Sequence, residues 1–268
     1  MMKLLKGSTG LAALYLLGSG LALQGAITCT TADYRGTYAF YTTGALLQLP
    51  PAAAALIGPF AQAGIFTSDG AGNVVIESAQ SYGGYIQSSG EVGTYSVSPD
   101  CVVTYSLVLP PPLSIPATFT SVLSGGNRQN VVMITEPQGS VVVGRHVKQD
   151  QRFCAVSDFT GAYQIDIAGT ITGPKEAAGL FQGLGRLVSD GNGNFTGKSI
   201  GNFAGRQVTE DFKGTYDVTA KCGLTLKYAN SFGQSASIGG YLGGHGDSAA
   251  VIVLNPGWAV SGMLRAQQ

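Results

Sequence analysis

Few side chains in this chain are equipped for chemistry. Its 268 residues hold two histidines, His146 and His245, four cysteines, and 15 basic against 15 acidic residues. Nucleophilic catalysis of the hydrolase kind needs a serine on a sharp G-x-S-x-G elbow near a histidine and a carboxylate. His245 lies in Gly243-Gly244-His245-Gly246-Asp247, with an acid two residues away but no such elbow, and His146 follows Gly144-Arg145 at a strand end. Both read as structural or solvated. Asp190, Asn192 and Asn194 present oxygens at alternate positions, as a calcium loop does. Such a loop also requires glycine at its sixth place and glutamate at its twelfth, where Phe195 and Gly201 stand. The Asp-Gly and Gly-Asn pairs instead supply the left-handed backbone of a hairpin turn. Asp33 and Asp158 are possible acid/base carboxylates, yet each stands alone, four residues after a cysteine, as a strand-entry turn would place it. No C-x-x-C pair or Cys/His cluster suits zinc. The sequence therefore offers no catalytic group, no metal site and no cofactor. Four tyrosines remain, Tyr38, Tyr95, Tyr163 and Tyr216, as candidate ligand-lining residues, since an inward tyrosine either packs with its hydroxyl satisfied or faces a bound molecule.

Those tyrosines belong to an internal repeat. Cys29, Asp33, Gly36 and Tyr38 recur as Cys154, Asp158, Gly161 and Tyr163, 125 positions on. Ser68-Asp69-Gly70, Gly72-Asn73, Gly93-Thr94-Tyr95, Val97 and Cys101 recur as Ser189-Asp190-Gly191, Gly193-Asn194, Gly214-Thr215-Tyr216, Val218 and Cys222, 121 positions on. Two tandem copies follow, over residues 27–150 and 151–268. Residues 1–26 read as a signal peptide: Lys3 and Lys6 form a basic start, residues 11–23 a short apolar run, and Gly20-Leu21-Ala22 or Ala26 a cleavage site. The expected location is extracellular or periplasmic, with no transmembrane segment after cleavage. An even cysteine count suits disulfides there, although four cysteines allow three connectivities. One duplicated unit would keep its own bridge, which favours Cys29 with Cys101 and Cys154 with Cys222. On that reading Cys101→Ala weakens the first copy and leaves the second largely intact.

The elements that must position these residues are strands. Val74-Val75-Ile76, Val102 through Leu107, Val131-Val132-Met133-Ile134 and Ala250 through Leu254 are β-branched or apolar runs bounded by turn formers. Leu224, Leu226 and Tyr228 alternate with Thr225 and Lys227, the pattern of one buried and one wet face. The 40 glycines suit turns and bulges. An all-β chain of two antiparallel barrels follows, with about seven or eight strands each; β-sandwiches are the alternative. Two stretches break the pattern. Residues 44–63 are apolar, and Pro50-Pro51 before an alanine run predicts a short helix or lid across one barrel end, with 168–182 as its more polar counterpart. Residues 109–116 carry too many prolines for a central strand and read as an edge or extended loop.

The order Gly-x-Tyr, D-G-x-G-N, then G-T-Y-x-V a few residues before a cysteine resembles secreted bacterial and fungal proteins similar to small β-barrels of the calycin (lipocalin-like) or allene-oxide-cyclase type. The resemblance spans both copies and implies a closed barrel around a possible ligand space. Zero formal charge, with no basic cluster among aromatics, excludes nucleic acid. Three functions stay open: a non-enzymatic secreted barrel that binds a small hydrophobic molecule, a cyclase or isomerase that steers a hydrophobic substrate by shape, and a surface or matrix component. An aromatic-lined interior above roughly 300 Å³ favours the first two. Filled barrels with an exposed apolar patch favour the third.

Overall fold

The computed structural model describes residues 28–109, 111, 113–124, 129–150, 153–230, 233 and 235–267. The signal-peptide expectation for residues 1–26 falls outside these. Strand-forming runs and tight glycine turns produce sixteen strands in two closed antiparallel barrels of eight. The first contains β1 (Arg35–Leu46), β2 (Gly58–Asp69), β3 (Asn73–Tyr82), β4 (Tyr85–Val97), β5 (Val102–Val108), β6 (Pro116–Val122), β7 (Gln129–Glu136) and β8 (Ser140–Lys148). The second contains β9 (Thr160–Ile171), β10 (Gly179–Asp190), β11 (Asn194–Phe203), β12 (Arg206–Val218), β13 (Gly223–Asn230), β14 (Ser235–Gly243), β15 (Ser248–Val253) and β16 (Trp258–Ala266). Each strand pairs with the next, and β8 returns to β1 with Tyr38 opposite Lys148, as β16 returns to β9 with Tyr163 opposite Ala266. Closure removes the free edges that a sandwich would leave, and the sandwich alternative is set aside.

The repeated motifs sit at equivalent corners. Asp69 in the β2–β3 turn accepts hydrogen bonds from the backbone N–H of Ala71 (2.7 Å) and Asn73 (3.0 Å), and Asp190 accepts from Asn192 and Asn194 at the same distances. Gly70, Gly72, Gly191 and Gly193 all have φ between 75° and 103°, a conformation side chains resist. The acidic loops are hairpin turns. Disulfides join Cys29 to Cys101 and Cys154 to Cys222, each with Cα atoms 4.9 Å apart. They tie the segment entering each barrel to the turn after its fourth strand.

The opposite end of the first barrel is closed by the two pattern-breaking stretches. Pro51–Leu56 forms a 3-10 turn, and residues 109–115 connect β5 to β6. Ala53 and Leu113 pack there with Leu46, Phe60, Tyr82, Ile134 and Val142. The residues on either side of that turn, expected to share the break, instead extend β1 and β2.

The barrels are joined wall to wall. Among the outward residues of β1 and β2, Ala39, Ala61 and Ala63 are small and fully buried against Ala250, Ile252, Ala259 and Met263 of β15 and β16, with Tyr41 packed beside them. β15 is therefore covered on both faces, which accounts for the apolar run Ala249-Ala250-Val251-Ile252-Val253. The Ser261 hydroxyl donates to the Thr42 carbonyl (2.7 Å) and the Ser81 hydroxyl to the Trp258 carbonyl (2.7 Å), so buried polar groups in the seam are paired. At the seam's rim the Gly84 carbonyl accepts from the Gly257 N–H (2.9 Å); Gly84 has φ +92°, and a Cβ on it would lie 2.4 Å from the Gly257 Cα.

Candidate functional site

All four tyrosines singled out by the repeat are buried. Tyr95 and Tyr216 lie two residues before the ends of β4 and β12, and their hydroxyls reach back over the disulfide end. Tyr95 donates to the Tyr34 carbonyl (2.7 Å) and accepts from the Gly70 N–H (2.9 Å). Tyr216 donates to the Phe159 carbonyl (2.8 Å), the equivalent place in the second copy. Tyr163 donates to the Gly246 carbonyl (2.7 Å). Tyr38 stacks between Tyr34 and Phe66, with ring centroids 5.0 and 4.9 Å away. None of the four lines the interior cavity of its barrel. Three hydroxyls are engaged in holding chain to chain, and the fourth, on Tyr38, has no hydrogen-bond partner among the described residues.

A more unusual grouping fills the middle of the first barrel. Alternation along β1, β2, β3 and β4 turns Thr42, Gln62, Ser78, Gln80, Ser89 and Glu91 inward, where a barrel core is ordinarily apolar. They form one hydrogen-bonded cluster. Gln62 donates to Ser78 (3.0 Å), Tyr82 to Gln80 (2.6 Å), and Gln80 and Ser89 donate to Glu91 Oε1 at 2.9 and 2.6 Å. Glu91 is 5 % exposed, and its Oε2 has no partner among the described residues. Burial raises its pKa, against the hydrogen bonds from Ser89 and Gln80 that lower it.

Toward the disulfide end stands His146, on β8 opposite Phe40. Tyr105 donates to the Tyr34 hydroxyl (2.5 Å), which leaves the Tyr34 proton for His146 Nε2 at 3.3 Å. Full burial without a countercharge holds the imidazole neutral, with its pKa lowered to about 3. His146 and Glu91 both line a cavity of about 40 Å³, with Thr42, Gln62, Phe40, Phe66, Ile76, Tyr105, Phe119 and Val132. That is room for roughly two or three water-sized groups.

The second barrel shows what an unspecialised copy looks like. By the 121-residue repeat, Gln62, Gln80 and Glu91 correspond to Gly183, Gly201 and Phe212. By strand register, His146 opposite Phe40 corresponds to Leu264 opposite Ile165. Its interior space, about 60 Å³, is bounded mainly by Phe181, Phe195, Phe203, Phe212, Leu226 and Trp258. A wider concavity of about 1000 Å³ lies outside this barrel over β10–β12, open to solvent and without a buried polar group.

In the sequence His146 has the look of a structural or solvated residue, and Glu91 and its glutamine partners belong to no motif. The signal was available in the repeat: Glu91 stands four residues before Tyr95 on the same strand face, where the other copy has Phe212. No protein-family model matches the chain, and no curated protein matches it.

Proposed function

We propose that this protein is a non-enzymatic, exported surface or matrix component whose copies pack together through the β5–β8 wall of the first barrel. One observation carries the reading. Outward positions on these adjacent strands are Thr104, Ser106 and Val108 on β5, Thr118, Thr120 and Val122 on β6, Val131, Met133 and Thr135 on β7, and Val141, Val143 and Arg145 on β8. Val108, Val122, Val131, Met133, Val141 and Val143 are each at least half exposed. A solvated wall ordinarily carries charge at such positions, as β11 and β12 do with Lys198, Asp211 and Lys213. This wall, with Arg145 the one charge among those outward residues, adjoins β1, whose outer face already packs on the second barrel, so a barrel wall serving as a contact surface has precedent within the molecule. Interiors of about 40 and 60 Å³ favour this reading over a carrier of drug-sized apolar ligands or a cyclase, which need several hundred Å³. The two disulfides suit an extracellular or periplasmic location, and no described helix is long and apolar enough to cross a membrane. A calycin-like or allene-oxide-cyclase-like origin suits two closed eight-stranded barrels.

Sedimentation velocity of the mature chain tests the proposal. The expected result is concentration-dependent self-association that Met133→Lys with Val143→Lys abolishes without changing the melting temperature. A monomer at every soluble concentration, or association indifferent to both lysines, would overturn it.

A further inference from the structure

We propose that the cavity of the first barrel is a binding site for a small primary alkylammonium ion, held by Glu91 Oε2 and enclosed by aromatic rings. The inference is independent of the outer wall. It begins with the direction of the hydrogen bonds. Tyr82 donates to Gln80, Gln80 donates to Glu91, and Ser89 donates to Glu91. Every bond in this relay presents a donor toward the carboxyl group, so the cluster is organised around an acceptor. One carboxylate oxygen receives these donors, and the other, buried, receives none from the described residues, while Glu91 is among the residues that line the cavity.

A buried, half-satisfied carboxylate is unfavourable unless something supplies the missing donor or the countercharge. The cavity wall contains no lysine or arginine, and His146, its one basic residue, is neutral and accepts from Tyr34. The complement is either a proton on the carboxyl group or a cation from outside, and only the cation also fills the cavity. Phe40, Phe66, Tyr105 and Phe119 line the same space, and aromatic faces attract a cation and reject an anion. Charge, donor geometry and ring placement thus converge on an ammonium group. A cavity of about 40 Å³ adds a size limit: the head and a few carbons fit, and Ile76 and Val132 supply the apolar surface for the carbons. The second barrel has Phe212 in place of Glu91 and glycines in place of both glutamines, and the carboxylate on its cavity, Glu210, is only half-buried and bonded to Ser199 (3.4 Å).

The experiment uses the intact mature chain and ethylammonium chloride as the probe, followed by isothermal titration calorimetry and thermal melts. Ethanol, sodium acetate and sodium chloride at matched ionic strength serve as comparisons. The expected result is saturable one-to-one binding of ethylammonium with a raised melting temperature, no such effect from the other three, and at least a tenfold loss of affinity in Glu91→Gln. Val132→Phe, which fills the cavity and keeps the carboxyl group, is expected to lose binding as well. Equal stabilisation by ethanol or sodium chloride, no saturable binding of ethylammonium, or undiminished binding in Glu91→Gln would each overturn the assignment. The comparison of ethylammonium with ethanol on the unaltered protein stands even where a variant fails to fold.

Discussion

His146 and Leu264 occupy the same register position in two copies of one barrel, and the difference between them is a proton equilibrium. His146 is buried and neutral, with a folded-state pKa near 3 against an ordinary value of 6.5. The unfolded chain therefore binds a proton between these values that the folded chain excludes. By linkage the stabilisation is complete above pH 6.5 and is lost as pH falls toward 3, by on the order of 4 kcal/mol. The groups that face the imidazole, Tyr34, Tyr38 and Tyr105, stay neutral throughout, and Glu91 on the same cavity only becomes protonated as pH falls. His146→Leu, which installs the second copy's residue, is expected to flatten the fall in melting temperature between pH 7 and pH 4. An unchanged pH slope would show that His146 is not held neutral by burial. The variant also deprives the Tyr34 hydroxyl of its acceptor, so some stability is lost at pH 7.

Strands, turns and closures explain why the repeated motifs survive in both copies. Tyr95 and Tyr216 lie near the ends of β4 and β12, and each hydroxyl bonds a backbone carbonyl at the start of its own barrel. The Tyr95 hydroxyl also holds the N–H of Gly70 in the β2–β3 turn. Removing it leaves a buried carbonyl and a turn N–H without their partner, at a cost of about 1–3 kcal/mol. Tyr95→Phe is expected to lower stability by that amount in urea unfolding. A loss below about 0.5 kcal/mol, the low end for a net hydrogen bond, would mean that water replaces the hydroxyl. These positions were legible in sequence as a pattern of Tyr and Cys, but their role was not. A tyrosine at a strand end reads the same whether its hydroxyl meets a ligand or a carbonyl, and only the path of the chain over the barrel end decides which.

At the scale of the whole molecule, two units that look separable in sequence share an extensive seam. Ala39, Ala61 and Ala63 bring the β1–β2 wall close to β15 and β16, and the side-chain hydroxyls at the contact are paired. The sequence suggested that Cys101→Ala would disturb the first copy alone. The Cys29–Cys101 bridge closes a loop of 72 residues, worth on the order of 4 kcal/mol in the chain-entropy account. With the seam in place, unfolding of the first barrel exposes Ala250, Ile252 and Met263 to water. Cys101→Ala is therefore expected to lower the melting of both barrels, seen by calorimetry or by hydrogen exchange resolved to β1–β8 and β9–β16. Full protection of β15 and β16 while the first barrel exchanges would show that the seam contributes little.

Local periodicity determined a great deal here. Period-two alternation and glycine turns define strands and their order, because each of these follows from neighbours along the chain; the near-constant repeat offset favoured one of three disulfide pairings, which the structure holds. The break at Pro50-Pro51 and the proline-rich stretch near residue 110 were visible for the same reason. Three matters were left to the tertiary structure: closure of each sheet on itself, the burial of β15 on both faces, and the meeting of Gln62, Gln80, Glu91 and His146 from four strands. Each depends on which residues become neighbours across the barrel. That is set by strand register and by the packing of one wall on another, and neither is written in any short stretch of sequence.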